Sequence, residues 1–287
     1  MDTSPFRAEA EAGDAVALAR LLVSIPSVNP TLAPGGSGEA RMADVTARLL
    51  TAWGFETTVH EIVPGRPNVV ARLSGPGPTL LLNGHLDTVG VEGMTVDPFG
   101  AEVVDGRLTG RGACDMKGGV AALLAAAHRL AADGPRPGLI VALTADEEHA
   151  SIGMAALVDG PEPVADLAIV CEPTSLAVMP AHKGFVWIEV DFRGRAAHGS
   201  RPDVGVDAIR HAGLYLAALD AYAEELRGRA PHPLLGHGSF HAGTITGGSA
   251  ESVYPDRCRL LLERRALPGE RRDGGGGEFT EVPDGDR

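Results

Sequence analysis

Toward the N-terminus, apolar residues recur at the three- and four-residue spacing of a helix face. DAVALARLLVS, residues 14–24, predicts a helix with Asp14 as its N-cap, stopped through Pro26 and Pro30 of SIPSVNP. GEARMADVTARLLTAWGF, residues 38–55, predicts a second amphipathic helix ending at Gly54. The period then shortens. ETTVHEIV, NVVARL and TLLLNG read as strands, and a glycine-rich loop, GRGACDMKGG, leads into a helix over about 117–132. GLIVALTADEE and ADLAIVCEPT are apolar strands that run into acids. Apolar strands alternating with helices predict an α/β sheet, in which ligands bind beyond the carboxyl ends of the strands.

After about residue 183 the character changes. GFVWIEVDFRG alternates like a half-exposed strand, GVDAIRHAGLYLAALDAYAEEL is one long amphipathic helix, and SFHAGTITGG and ESVYPDRCRLLLERR read as further strands. The expected division is 1–183, 184–270 as a two-layer α+β unit, and a glycine-rich tail, 271–287, with too little apolar surface to order itself.

Composition narrows the function classes. Thirty-eight Asp and Glu against 25 Lys and Arg give a formal charge of -13, which disfavours nucleic acid and anionic membranes as partners. Cys114, Cys171 and Cys258 are widely spaced and form no CxxC pair, so neither a disulfide framework nor a cysteine zinc site is predicted, and a reducing cytoplasm fits. The N-terminal stretch lacks the basic and apolar regions of a secretion signal. No stretch reaches the ~18 to 20 unbroken apolar residues of a membrane span.

The polar residues at the strand ends carry the candidate chemistry. LLLNGHLDTV, residues 80–89, ends a core strand in His85 and Asp87, with Gly84 before them. Asp87 is placed to accept the second ring N–H of His85 and so fix its tautomer. Asp115 stands just before a helix, where an N-cap is the plain alternative. A phosphate loop is excluded there, because the spacing is not GxxxxGK[ST] and Asp115 would repel the ligand. Glu147 and Glu148 close one apolar strand and Glu172 closes another. Five carboxylates gathered at one sheet edge need compensating cations, and two divalent metals would supply them. An imidazole among carboxylates suits zinc or another borderline ion better than magnesium.

HLDTV, GRGACDMKGG, TADEE, CEPT, GRAAHGS and RRALPGE stand in an order that resembles the dizinc amidohydrolases, the family of acetylornithine deacetylase, succinyl-diaminopimelate desuccinylase, carboxypeptidase G and the aminoacylases. The resemblance runs from about residue 14 to about 270. It implies an α/β fold: a zinc-exopeptidase-like catalytic sheet flanked by helices, with an inserted α+β lid and dimerisation domain. It implies hydrolysis of a small N-acyl amino acid or dipeptide by a homodimer. By the resemblance His85, Asp115 and Glu172 hold one zinc, and Asp115 as a bridge and Glu148 hold the other, with cobalt as a possible substitute. Glu147 is the general base, Asp87 orients His85, His198 stabilises the oxyanion and Arg265 clamps the substrate carboxylate.

Relatives continue for roughly a hundred residues past the LPGE motif, in keeping with ordinary domain sizes. The expectation is therefore a truncated chain whose second metal site lacks its last histidine, since His211, His232, His237 and His241 all lie in the lid segment. Such a chain would hydrolyse amides poorly, and a non-catalytic binding or dimerisation module is the competing reading. Glu251 stands where relatives often carry an asparagine, which weakens transfer of any one substrate.

Overall fold

The computed structural model describes residues 6–132, 137–160, 165–272 and 279–281. They divide into two compact units, Met1–Leu176 and Ala177–Arg287. The division falls a few residues before the change of pattern at 183.

The first unit opens with a short helix, α1 (Arg7–Glu11), then α2 (Ala15–Val23) and α3 (Ala40–Ala52). Asp14 caps α2 by accepting from the Ala17 amide at 2.8 Å. Behind α3, the Gly54 amide donates to the Thr51 carbonyl and the Phe55 amide to that of Leu50, the paired bonds that close a helix C-terminus. Strands β1 (Glu56–Val63), β2 (Arg66–Leu73) and β3 (Thr79–His85) follow, with a small hairpin of β4 (Glu102–Val104) and β5 (Arg107–Thr109). Helix α4 (Lys117–Ala132), β6 (Gly138–Thr144), α5 (Ile152–Asp159) and β7 (Leu167–Val170) complete the unit.

Five of these strands form one sheet in the order β1-β2-β6-β3-β7. β3 runs parallel to both β6 and β7, so the ends of all three point the same way. β1 and β2 are antiparallel neighbours on the other side. One face of the sheet packs on α2, α3 and α4 through Leu18, Leu22, Leu50, Leu124 and Val141. The other carries a smaller cluster of Val70, Ile140, Ala142 and Leu157.

Two glycines bring α4 close to the strand ends. A Cβ on Gly84 would lie 2.9 Å from Val120 Cγ2, and one on Gly119 would lie 2.3 Å from the Cys171 carbonyl oxygen. The start of α4 therefore sits against the ends of β3 and β7, and the glycines of GRGACDMKGG permit that approach.

The two apolar strands that run into acids are placed differently, β6 inside the sheet and β7 at its side. β7 is a sheet edge, and Leu167, Ile169 and Val170 are exposed. Apolarity does not distinguish an edge strand from a central one.

In the second unit β8 (Gly184–Arg193), β10 (Arg257–Ala266) and β9 (Ser239–Gly247) form an antiparallel sheet with β10 central. Helix α6 (Ala208–Gly228) is capped by Asp207, which accepts from the Arg210 amide at 2.9 Å. β10 alternates strictly, burying Cys258, Leu260, Leu262, Arg264 and Ala266. The tail departs from the expectation of a wholly unstructured segment: β11 (Glu270–Arg272) pairs with β12 (Phe279–Glu281). The rest of that expectation, over 273–278 and 282–287, lies outside the described residues.

Candidate metal centre

His85 is the last residue of β3 and is 2% exposed. Its Nε2 lies 3.1 Å from Asp115 Oδ1 and 3.9 Å from both Glu147 Oε2 and Glu172 Oε1. Asp115 comes from the loop before α4, Glu147 from the turn after β6, and Glu172 from the segment after β7. His85, Asp115 and Glu172 each offer one ligand atom, and these atoms lie within 4.8 Å of one another. Glu148 stands outside that group of three.

The other ring nitrogen of His85 faces Asp87, in a way that differs in detail from the sequence expectation. Nδ1 is 3.0 Å from the Asp87 carbonyl oxygen and 3.5 Å from its carboxylate. The backbone carbonyl is thus the nearer acceptor. The Asp87 carboxylate, fully buried, takes N–H bonds from Glu147 at 3.0 Å, from Glu148 at 3.2 Å and from the Asn29 amide at 2.8 Å. It holds the Glu147–Glu148 turn as much as the histidine.

Electrostatics follow from this crowding. Burial alone would lower the His85 pKa, but hydrogen bonds to Asp115 and Asp87 and the charge of Glu172 push it up to about 11. Burial, then repulsion by Asp115, pushes Glu148 up to about 7. Glu147 and Glu172 are raised chiefly by burial, with the neighbouring acids adding to it against the pull of His85. Asp87 would be raised by its burial, yet His85, Asn29 and the Glu147 amide together hold it below the usual carboxylate range. In this arrangement the imidazole sits among four acids: buried Asp87, partly buried Glu172, and exposed Asp115 and Glu147.

Around the site lies a buried polar layer that the motif reading did not weigh. Arg66 Nη1 is 2.8 Å from Asp146 Oδ1, and its Nη2 is 2.6 Å from Glu39 Oε1. The Asp146 amide donates to Glu39 Oε1 at 3.2 Å, and Asn29 Nδ2 donates to Asp146 Oδ1 at 2.9 Å. Asp146 is inside the quoted TADEE motif, whereas Glu39 and Arg66 have no local pattern to mark them. Lys117, fully buried at the start of α4, donates to the Ile25 carbonyl at 2.6 Å, and burial lowers its pKa to about 7.

The two remaining candidates belong to the second unit. His198 is exposed; its Nδ1 accepts from the Ser200 amide at 3.2 Å and lies 2.9 Å from the Ser200 hydroxyl. An acceptor Nδ1 leaves the proton of the neutral ring on Nε2. Arg265 is half-exposed, donates to Glu263 Oε1 at 2.5 Å and lies 5.2 Å above the Phe185 ring. Its neighbour Arg264 is buried and paired with Glu270 at 3.0 Å. Glu251 is an exposed turn residue.

The chain is similar to known proteins in sequence and in fold. Over 241 residues the chain is 39% identical to an acetylornithine deacetylase of Myxococcus xanthus, a match covering 80% of this chain and 62% of that protein. The chain thus spans less than two thirds of that relative's length. An M20 family metallo-carboxypeptidase of Sulfolobus solfataricus has the same fold, with a TM-score of 0.73 at 17% identity over 89% of this chain and 71% of that one. A Bacillus subtilis protein described as a dinuclear metal binding peptidase of the M20 family superposes with a TM-score of 0.57 at 15% identity, over 90% and 65% of the two chains. Residues 81–251, from the strand bearing His85 to the second unit, match peptidase family M20/M25/M40, and the chain belongs to that family.

Proposed function

We propose that the protein is a metal-dependent hydrolase of the amide bond in a small N-acylated amino acid or dipeptide, of deacylase or carboxypeptidase type. The observation that carries this reading is the convergence of His85, Asp115 and Glu172, with Glu147 beside them, from the ends of β3, β6 and β7 and the loop before α4. The donor set fits divalent cations. Burial and repulsion by Asp115 push Glu148 up to about 7, while attraction to Asp115, Asp87 and Glu172 overrides burial and pushes His85 up to about 11. His85, Asp115 and Glu172 would hold one ion, and Asp115 with Glu148 the second. Zinc suits an imidazole and carboxylate set, and cobalt is the nearest substitute. Such ions supply Lewis acidity toward a carbonyl and make water acidic near neutral pH.

The chain's own residues do the rest. Glu147, exposed beside His85, takes a proton from water and returns it to the departing amine. The turn that carries it is anchored on Asp87, so the base is held in place by its own backbone amide. His198 carries its proton on Nε2, the state that donates to an oxyanion. Arg265 offers a planar fork for a substrate carboxylate. The reading extends to a cytoplasmic homodimer formed through α6, supported by exposed Ile209, Leu214 and Tyr215 on that helix. No helix among the described residues is long and apolar enough to cross a membrane.

The test is release of amine from N-acetylornithine and other N-acetyl amino acids with zinc or cobalt present. Activity is expected to disappear with a chelator, and Glu147→Gln to slow it by about 10²–10⁴ while metal content stays unchanged. A protein that binds metal yet releases no amine from any such substrate would instead be a binding or dimerisation module.

A further inference from the structure

We propose that Asn29 is a positioning residue for the metal centre: its single amide nitrogen ties Asp87 to Asp146 and thereby sets the turn that carries Glu147 and Glu148. The inference rests on the metal reading above for its consequence, but not for its geometry. Asn29 is fully buried. Both hydrogens of its Nδ2 are used, one toward Asp87 Oδ2 at 2.8 Å and one toward Asp146 Oδ1 at 2.9 Å. Its Oδ1 accepts from the Thr31 amide at 2.9 Å. A flipped amide would turn an oxygen toward two carboxylates, so the donors define the orientation.

The segment bearing Asn29 is itself fastened beside Asp87. The Thr88 amide donates to the Ser27 carbonyl at 3.0 Å, and the Asn29 amide donates to the Thr88 carbonyl at 2.8 Å. Asn29 therefore reaches the two acids from a fixed backbone. Three carboxylates, Glu39, Asp87 and Asp146, lie in this buried layer with one guanidinium, Arg66. Arg66 serves Glu39 and Asp146, while Asn29 is the neutral donor placed between Asp146 and Asp87.

Asp146 holds a left-handed backbone, φ 64, a region that aspartate enters more readily than most residues other than glycine. That conformation directs the next two amides, of Glu147 and Glu148, to the two oxygens of Asp87. Remove Asn29, and two buried acids face each other with no donor between them. Asp87 then loses one of its three N–H partners, and the turn loses the link that joins its first side chain to the acceptor of its amides. The base and the second-ion ligand would shift together.

The experiment compares the full chain with Asn29→Ala and Asn29→Ser, first without metal and then with zinc or cobalt. In the metal-free protein, hydrogen exchange at residues 144–151 should quicken by about 10 to 100-fold in Asn29→Ala, as expected for loss of hydrogen bonds to charged groups. Asn29→Ser, with one hydroxyl donor, should fall between. Exchange in α6 and in the β8-β10-β9 sheet should not change. Calorimetric metal affinity should drop by about 10 to 100-fold in Asn29→Ala. Unchanged exchange at 144–151, or an equal rise throughout the first unit in Asn29→Ser, overturns the proposal. If wild type binds no divalent ion but the local exchange effect appears, the positioning role stands and the metal reading falls.

Discussion

The two units treat charge in opposite ways. In the first, beside exposed helix pairs such as Arg48 with Asp44, the charged Arg66, Glu39, Asp146 and Asp87 are buried and joined with neutral Asn29 into one connected set behind the strand ends. In the second, most ion pairs are exposed, as between Arg257 and Asp191 at 2.7 Å, between Arg259 and Glu189, or between Arg201 and Asp203 at 2.8 Å. Among the described residues of this unit, Arg264 with Glu270 resembles the first unit's buried design. A buried network is costly to assemble and costly to break, whereas an exposed pair is screened and adds little. The buried set of the first unit lies beside the candidate metal ligands, through Asp87 and the Glu147–Glu148 turn.

The contrast is broken most sharply at Arg66. Arg66→Met leaves Glu39 and Asp146 buried without their cation, and removal of one partner from such a pair costs about 3–5 kcal/mol. The chain's two tryptophans, Trp53 and Trp187, fall one in each unit, so fluorescence can follow them separately. In a Trp187→Phe background, urea unfolding read at Trp53 should shift to markedly lower denaturant. An unchanged midpoint would mean the guanidinium is dispensable and the layer is held by other contacts.

pH sharpens the comparison next. His85 is raised from 6.5 to about 11, so without metal its stabilising effect is complete below pH 6.5 and is lost as pH rises toward 11. Glu148 is raised from 4.5 to about 7, so its contribution also fades as pH climbs through that interval. Asp87 works the other way: its pKa is lowered from 3.8, and its contribution is lost only as pH falls below that value. In a chelator, the first unit should therefore lose stability steadily from about pH 5 to about pH 9. Zinc should reverse the sign over the lower part of that range, since metal binding requires deprotonated ligands. Thermal unfolding at a series of pH values, with and without zinc, reads both slopes. Parallel slopes would mean the acids do not meet a cation there.

Much of this was legible in the chain. The helix capped by Asp14, the strand ending at His85 and the acids after β6 follow from period and punctuation alone, because each is a local signal. The edge position of β7 was not legible, since burial depends on what lies beside a strand and not on its own residues. Nor was the role of Asn29. SIPSVNP reads as a helix stop, and the partners of Asn29 lie 58 and 117 residues away. The same holds for Glu39 with Arg66, 27 residues apart. Ligands at strand ends announce themselves by polarity in an apolar run, while the residues that hold them in place are ordinary loop and helix-end polar residues until the fold brings them together.

The smallest expected effect tests the other half of the contrast. Arg257 of β10 and Asp191 of β8 are diagonal neighbours on adjacent strands, with hydrogen bonds at 2.9 and 2.7 Å, so by distance the pair rivals Arg66 and Glu39. Its side chains are 63% and 28% exposed, against 7% and 0% for the buried pair. Water already solvates both ions, and ordering two long side chains offsets most of the attraction. Arg257→Met, followed at Trp187 in a Trp53→Phe background, should leave the unfolding midpoint of the second unit where it was. Salt should make no difference to that result, because there is little attraction to screen. A shift as large as that of Arg66→Met would show that hydrogen-bond geometry, and not burial, sets the worth of an ion pair in this protein.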